Sequence, residues 1–434
     1  MMTAILWIYD LLFPLALLLA APWWLMRMLT TSRYREGFWE RLGRIPVRFR
    51  VGLEKRPAIW VHAVSVGETL AAIQLIRQLE TERPAMSIVL STTTRSGQQL
   101  ARQRLGVERV FYCPLDLAWA THAWLQALQP RMLVLMETEF WPGLLRRCFD
   151  RKIPVVVVNA RISDRSWPRY HRLRRLWKPL LQRLQTVLAQ SELDAERLEE
   201  LGCRQVIAAG NLKYDLHIEK YSALTLQLQA MAAGKRWVVA GSTLDGEEAM
   251  LLAAWKKLQS LHSDLVLLLA PRHPERFASV AGLLEASDLP WRKRSALGVD
   301  ALHAGEVILL DSIGELATAY SLATVAFVGG SLVAAGGHNP LEAAWHGVPV
   351  IMGSHTENFR AIVQELQNHQ AICILHSNHA EALEFALQSL LIDVEAALAI
   401  GERARQVLKQ HSGATTKCVA TLCKLLDDPR PEVT

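Results

Sequence analysis

Four glycines fall within nine residues at the start of "GGSLVAAGGHNPLEAAWHGVPVIMG", Gly329 to Gly353, and His338, Asn339 and Glu342 follow at the mouth of what reads as a helix. A tight turn needs one or two glycines, so the excess points to chemistry. Gly336 and Gly337 are expected to bend the chain and to let a ligand touch the backbone. Asn339 and Pro340 start the helix, with proline at a first-turn position where its missing N–H costs nothing. The open N–H groups and the positive end of the helix dipole then favour a phosphate. Glu342, one step inside, is placed to accept from ribose hydroxyls. The stretch reads as a nucleotide site.

Other strand-to-helix turns carry polar groups of the same kind. In "WVHAVSVGETLAAIQLI" the turn Ser65-Val66-Gly67-Glu68 has the Ser-x-x-Glu spacing of a capping box, so Glu68 is either a helix cap or a working carboxylate. Gly67 beside it would let another molecule approach the backbone, while His62 reads as a core histidine. "METEFWPG" sets Glu137 and Glu139 after an apolar run; two apart on an extended chain, only one of them should face a given side. "AGSTLDGEEAML" offers Ser242 and Thr243 as a short cradle of backbone donors for an anion. "LAPRHPERF" holds Arg272 and His273 between two prolines, a stiff mount for a bidentate donor. "DSIGELATAY" repeats the capping-box spacing from Ser312 to Glu315, with Gly314 inside it.

The elements that must position these turns alternate in type. Short apolar runs read as strands at Ala58–Val64, Ser87–Ser91, Arg109–Tyr112, Met132–Met136, Val155–Asn159, Thr186–Ala189 and Gln205–Ala208. A second set follows at Trp237–Ala240, Val266–Ala270, Val307–Leu310, Thr324–Val328 and Pro349–Met352. Runs such as "VVVVN" are apolar throughout, as strands covered on both faces are. Strand alternating with helix implies parallel sheets built from right-handed crossovers. The expected fold class is α/β: two doubly wound, Rossmann-like domains facing across a cleft, with ligands beyond the carboxyl ends of the strands. The boundaries read as an anchor over 1–30, a first domain over 31–215, a linker over 216–234, a nucleotide domain over 235–400 and a helical segment over 401–434.

Composition agrees with two cores: 434 residues, 51% hydrophobic and 21% charged. The net charge of +6 favours an acidic partner such as phosphate or an anionic membrane surface. Six scattered cysteines without a C-x-x-C pair speak for a reducing compartment and against a zinc site. From Ile5 to Met26, 22 residues hold one charge, Asp10, with Trp7, Tyr9, Trp23 and Trp24 near the ends. Arg27, Arg33, Arg35, Arg41 and Arg44 follow. That order reads as an uncleaved membrane anchor with the remainder cytoplasmic, a partly inserted monotopic helix being the alternative left by Pro14, Pro22 and Asp10. "RISDRSWPRYHRLRRLWKPLLQRL", Arg161 to Leu184, interleaves cations with tryptophans and leucines, either as a solvated helix face or as a surface for anionic lipid. No nucleic-acid motif is present, so nucleic acid is not an expected partner.

Taken in order, "VHAVSVGE", "ETEFWPG", "NARISDRS", "GNLKYD", "APRHPERF" and the long glycine stretch resemble the 3-deoxy-D-manno-octulosonic acid (Kdo) transferases of lipopolysaccharide synthesis, from the N-terminal run to about residue 360. The resemblance implies a two-domain GT-B glycosyltransferase that moves Kdo from CMP-Kdo to a lipid A precursor at the cytoplasmic face of the inner membrane. It further implies inversion of the anomeric centre, with no cofactor and no metal. By the same resemblance Glu68 is the general base, and Glu137 and Lys213 stabilise the transition state. CMP would contact Pro271 and Arg272, the turn Ile313-Gly314-Glu315, and Asn339, Pro340, Leu341 and Glu342. Two other readings stay open: a membrane-associated GT-B enzyme drawing on a UDP-sugar, and a membrane-tethered nucleotide-binding protein without catalysis.

Overall fold

A computed structural model describes residues 2–30, 35–52, 58–216, 218–232 and 234–427. The chain divides into two compact units, Met1–Asp215 with Ser412–Thr434, and Leu216–His411. The expected linker 216–234 is not a bare connection, since the helix Ala223–Ala232 buries Leu224, Leu228 and Met231. The expected C-terminal segment 401–434 is also divided. Val394–His411 lies in the second unit, whereas Ala414–Asp427 buries Cys418, Val419 and Leu422 in the core of the first.

Each unit is one seven-stranded parallel sheet. The first contains β1 (Ala58–Ala63), β2 (Ser87–Thr92), β3 (Val110–Tyr112), β4 (Met132–Met136), β5 (Val155–Ala160), β6 (Thr186–Ala189) and β7 (Val206–Ala208), in the order β3-β2-β1-β4-β5-β6-β7. The second contains β8 (Arg236–Thr243), β9 (Leu265–Pro271), β10 (Trp291–Lys293), β11 (Val307–Leu309), β12 (Ala323–Val328), β13 (Val350–Met352) and β14 (Cys373–Ile374), in the order β10-β11-β9-β8-β12-β13-β14. β10 and β14, both edge strands, have no counterpart among the runs read from sequence.

Side chains alternate across the first sheet as period-2 geometry requires. Trp60, Leu133, Leu135, Val155 and Val157 join one core. Ile59, Val61, Val134, Met136, Val156 and Val158 join the other, on the opposite face. Burying each large aliphatic side chain contributes about 1.5–3 kcal/mol, but on strands covered on both faces a slip of one residue would only exchange faces, so the turns rather than the apolar runs set the register.

The structure does not support the N-terminal run as a spanning anchor. Among the described residues no helix is long and apolar enough to cross a membrane. The run from Ile5 to Met26 is split into helices Met2–Leu19 and Ala21–Thr30. Pro22 accounts for the break: it lacks an N–H and its ring crowds the carbonyl four residues back. Asp10 turns inward, paired with Arg146 and, at 3.0 Å, with Arg147, while the Tyr9 hydroxyl donates to Asp116 at 2.9 Å. Leu11, Leu15, Leu18 and Leu19 stay exposed. Arg33 lies outside the described residues.

The basic stretch Arg161 to Leu184 forms helices Trp167–Arg172 and Arg174–Leu181. Its aromatic rings Trp167, Tyr170 and Trp177 pack against the core, leaving Leu173, Leu176 and the cations Arg169, Arg172, Arg174, Arg175 and Lys178 outside.

Candidate functional site

In a doubly wound parallel sheet, ligands gather where the strand order reverses direction, beyond the carboxyl ends. In the first unit that point lies between β1 and β4. Glu68 follows β1 and Glu137 follows β4, so the topology alone brings these carboxylates to one place. Lys213 arrives from beyond β7 on the short turn Leu212–Tyr214, and its Nζ stands 3.6 Å from Glu137. Its Cε lies 4.0 Å from where a side chain on Gly67 would begin, next to Glu68.

Glu68 caps the helix as its spacing suggested. The capping box is complete: Ser65 Oγ accepts from the Glu68 N–H, and Glu68 Oε1 accepts from the Ser65 N–H at 3.2 Å. Oε2 accepts from the Val64 N–H at 2.8 Å, and the residue is buried. A carboxylate has about four lone-pair directions, so two accepted bonds leave room for a third partner.

The extended chain on which Glu137 and Glu139 were expected to point apart is not what the structure shows. Glu137 has a left-handed backbone, φ 55°, so the chain is not extended there and alternation stops. The Glu68 charge acts on both carboxylates, and that of Glu137 acts on Glu139. Burial raises the Glu137 carboxyl above its usual range, with Lys213 and Arg161 pulling the other way. Glu139, with burial, Glu68 and Glu137 all acting in one direction, is pushed up to about 7. His62 is a core histidine, Nδ1 held 2.9 Å from Ser91 Oγ, and burial lowers it to about 4.

In the second unit the turns after β11, β9, β8 and β12 stand at the same edge of four adjacent strands. Arg272 is exposed after β9, its N–H bound to the Thr243 carbonyl at 3.0 Å. Its charge acts on Glu342, His338 and Tyr320, which places these groups around it. Burial raises Glu342, opposed by Arg272 and by Asn339, whose Oδ1 also accepts from the Leu341 N–H at 3.1 Å. Pro340 is the N-cap residue, and the helix runs only from Leu341 to Trp345. So short a helix adds little of the dipole expected there.

Two further expectations change here. Gly336 and Gly337 have φ 84° and 73° as a bend requires, but side chains there would strike Asn358 at 2.6 Å and Met352 Cε at 2.9 Å. Their glycines make room for the chain itself rather than for a ligand. Gly314, φ 90° with no atom within 4 Å of where a side chain would begin, is the open one, and Ile313 beside it is exposed. Ser312 and Glu315 form no capping box; Ser312 Oγ donates to the Glu315 carboxylate, which also takes Arg294 at 2.6 Å. Ser242 and Thr243 end strand β8, both buried, and Thr243 Oγ1 donates to Glu248 at 3.0 Å.

Sequence reasoning missed three positioning groups. Buried Glu247 accepts from the N–H groups of Leu244, Gly330, Ser331 and Leu332 at 2.7–3.0 Å and so fixes the glycine stretch. Buried Asn159, φ 59°, accepts the Leu212 N–H at 3.0 Å and so sets the turn that carries Lys213. The Tyr320 hydroxyl occupies the space a side chain on Gly241 would need. A signal existed only for Glu247, an acid in the first turn of a helix; the other two are tertiary facts.

Among the described residues no group of three or more His, Cys, Asp or Glu is arranged to hold a metal ion. Residues 36–216 match the family described as "3-Deoxy-D-manno-octulosonic-acid transferase (kdotransferase)". A 3-deoxy-D-manno-octulosonic acid transferase of Haemophilus influenzae is 36% identical over 407 residues, 92% of this chain and 93% of its own. One of Bordetella pertussis is 34% identical over 94% of this chain and 98% of its own. Among solved structures, MurG of Acinetobacter baumannii aligns with a TM-score of 0.53 at 14% identity, over 85% of this chain and 99% of its own; that likeness concerns the fold.

Proposed function

Starting from the fact that the chain belongs to the Kdo transferase family, a family of glycosyltransferases, we propose that it transfers Kdo from CMP-Kdo to a lipid A precursor, lipid IVA, with inversion and without a metal. One observation carries the reading. Glu68, Glu137 and Lys213 stand together at the reversal point of the first sheet, in a chain similar to Kdo transferases over more than nine-tenths of its length.

In this mechanism Glu68 accepts the proton of an acceptor hydroxyl as its oxygen attacks the anomeric carbon. The bond to the CMP phosphate breaks, and its electron pair leaves with the phosphate. Two N–H bonds from Val64 and Ser65 hold the Glu68 carboxylate still, so the base meets the hydroxyl without reorganising. Lys213, steered by Glu137, offsets negative charge on the Kdo carboxylate. In the second unit Arg272 faces the leaving phosphate, Glu342 and Asn339 bind the ribose, and the open turn at Ile313, Gly314 and Glu315 receives the base, with Pro271 and Leu341 lining the site. CMP-Kdo is the donor substrate and no cofactor is involved.

The acceptor is a lipid, and the reaction occurs at the cytoplasmic face of the inner membrane. The exposed Leu173, Leu176 and their surrounding cations support an anionic lipid surface as partner, and the exposed leucines of Met2–Leu19 support a monotopic, interfacial attachment. Incubation of the protein with CMP-Kdo and lipid IVA, read by mass spectrometry of the lipid, tests the whole reading. Lipid carrying added Kdo is the expected product. Transfer from a UDP-sugar in its place, or none from either donor, would overturn it.

A further inference from the structure

Lys213 sits on a single turn, Leu212–Tyr214, which closes few hydrogen bonds of its own, so what fixes it must come from around it. Ahead of the lysine, Asn159 accepts the Leu212 N–H and Asn211 accepts the Lys213 N–H, each at 3.0 Å. Behind it stands Asp215, the last residue of "GNLKYD". Its Oδ1 accepts from the Gly413 N–H and its Oδ2 from the Thr415 N–H, both at 2.5 Å. Those N–H groups open the helix Ala414–Asp427, and the residue before that helix is a glycine, with no side chain to cap it. Asp215 supplies the cap from about 200 residues earlier in the chain. Its carbonyl takes the side-chain N–H of Gln74, on the helix Val66–Glu82 whose first turn holds Glu68. Gln78, one turn further on, donates to Thr416 Oγ1 at 3.1 Å, which joins the same two helices beside the clasp. The chain leaves the first unit after Asp215 and returns at Ser412, so one carboxylate ties both crossings together.

We propose that Asp215 is a positioning residue for Lys213: it fastens the Lys213 turn to the closing helix Ala414–Asp427 and, through Gln74, to the helix that carries Glu68. The inference rests on the transferase reading above. Lysine is a compact charge on a flexible four-carbon stem, so where its ammonium comes to rest depends on where its backbone is held. Glu137 steers the Nζ from 3.6 Å, and the clasp at Asp215 sets the backbone from which the stem starts. A carboxylate that takes two N–H groups at the positive end of a helix forms charge-assisted bonds, a stiffer mount than a neutral side chain gives. Asparagine there would turn its NH2 toward one of the two N–H groups and open that side of the clasp. A cap that served the closing helix alone would change stability without acting through Lys213, and this is what the test separates.

The experiment is a double-mutant cycle read in single-turnover Kdo transfer to lipid IVA at saturating CMP-Kdo, with wild type, Asp215→Asn, Lys213→Ala and the double variant. Asp215→Asn should slow transfer about 10- to 100-fold when Lys213 is present, the scale of a misplaced catalytic group. Once Lys213 is alanine, the same change should cost no more than about twofold, because the group it positions is gone. CMP affinity should stay within about twofold throughout. Equal factors in the two backgrounds would make Asp215 a cap for the closing helix alone and overturn the proposal. An undiminished rate in Asp215→Asn, or a loss confined to CMP affinity, overturns it as well. Should Asp215→Asn not fold, Gln74→Ala takes its place in the cycle, since it cuts the tie to the Glu68 helix and leaves the cap intact. Its loss of rate must also disappear with Lys213→Ala; a loss that persists, or none in either background, overturns the proposal. Absence of transfer in wild type overturns the transferase reading and this one with it, whereas transfer with additive losses overturns only the role of Asp215.

Discussion

Glu68 is a residue whose cap, and whose proposed role as a base, sequence spacing cannot separate. Ser-x-x-Glu announced the cap, and the cap is there, with Lys213 Cε 4.0 Å from where a side chain on the neighbouring Gly67 would begin. The structure also changes what Glu68→Gln should do. Both oxygens accept an N–H, so the NH2 of glutamine must face a donor, and one buried N–H loses its partner. That costs about 1–3 kcal/mol, so a modest fall in Tm is expected even if the site chemistry is untouched. Glu139 yields a second residue-level prediction. Its folded carboxyl is raised from 4.5 to about 7, so the stability it contributes is complete below pH 4.5 and is lost as pH rises to 7. Glutamine does not titrate, so the Tm of Glu139→Gln minus that of wild type should increase between pH 4.5 and 7 and then level off. A flat difference in melts across that range would refute the assignment. Neither Glu139's neighbours nor the left-handed Glu137 was legible beforehand, because nothing in "METEFWPG" marks a glutamate that leaves the extended region.

At the level of elements, the central strands were legible and the edges were not. β4 and β6 stand where their apolar runs placed them, and most others differ by one to three residues at the ends. β10, "WRK", and β14, "CI", are two or three residues long and half solvated, so neither length nor hydrophobic pattern marks them. The N-terminal run misled for a different reason: its composition is that of a span, but Pro22 divides it and Asp10 ties it to Arg146 and Arg147. Removing one partner of a buried ion pair costs about 3–5 kcal/mol. Asp10→Ala should therefore lower the melting temperature of the first unit, and Asp10→Ala with Arg147→Met should lower it less. Equal losses in the two proteins, seen by calorimetry, would mean the pairing does not hold the helix. The closing helix Ala414–Asp427 is tested by Leu422→Ala, which empties a fully buried site in the first core and should cost about 2–5 kcal/mol in denaturant titrations. A loss under about 0.5 kcal/mol would show that this helix is not part of that core.

For the whole molecule, the division of labour between units makes the central claim separable into parts. The carboxylates and Lys213 belong to Met1–Asp215, and the groups around Arg272 belong to Leu216–His411. Association with anionic vesicles should depend on neither, but on exposed cations such as Arg174 and Arg175, each worth about 1 kcal/mol near a charged surface. Arg174→Glu with Arg175→Glu should reduce sedimentation with anionic vesicles at low salt, while unaltered sedimentation would exclude that face. Arg272→Ala should weaken CMP binding by about 1.5–3 kcal/mol, the scale of a charged hydrogen bond, without lowering Tm. The most direct measurement compares single-turnover Kdo transfer from CMP-Kdo in wild type, Ser65→Ala and Glu68→Gln. Ser65→Ala removes only the cap and Glu68→Gln removes the proton acceptor, while both lose some stability. A positioned base contributes about 10²–10⁴ in rate, so Glu68→Gln should be slower by that factor with CMP affinity unchanged, and Ser65→Ala should stay within about tenfold of wild type. Equal, small losses of rate in the two variants would make Glu68 a cap alone and contradict the mechanism.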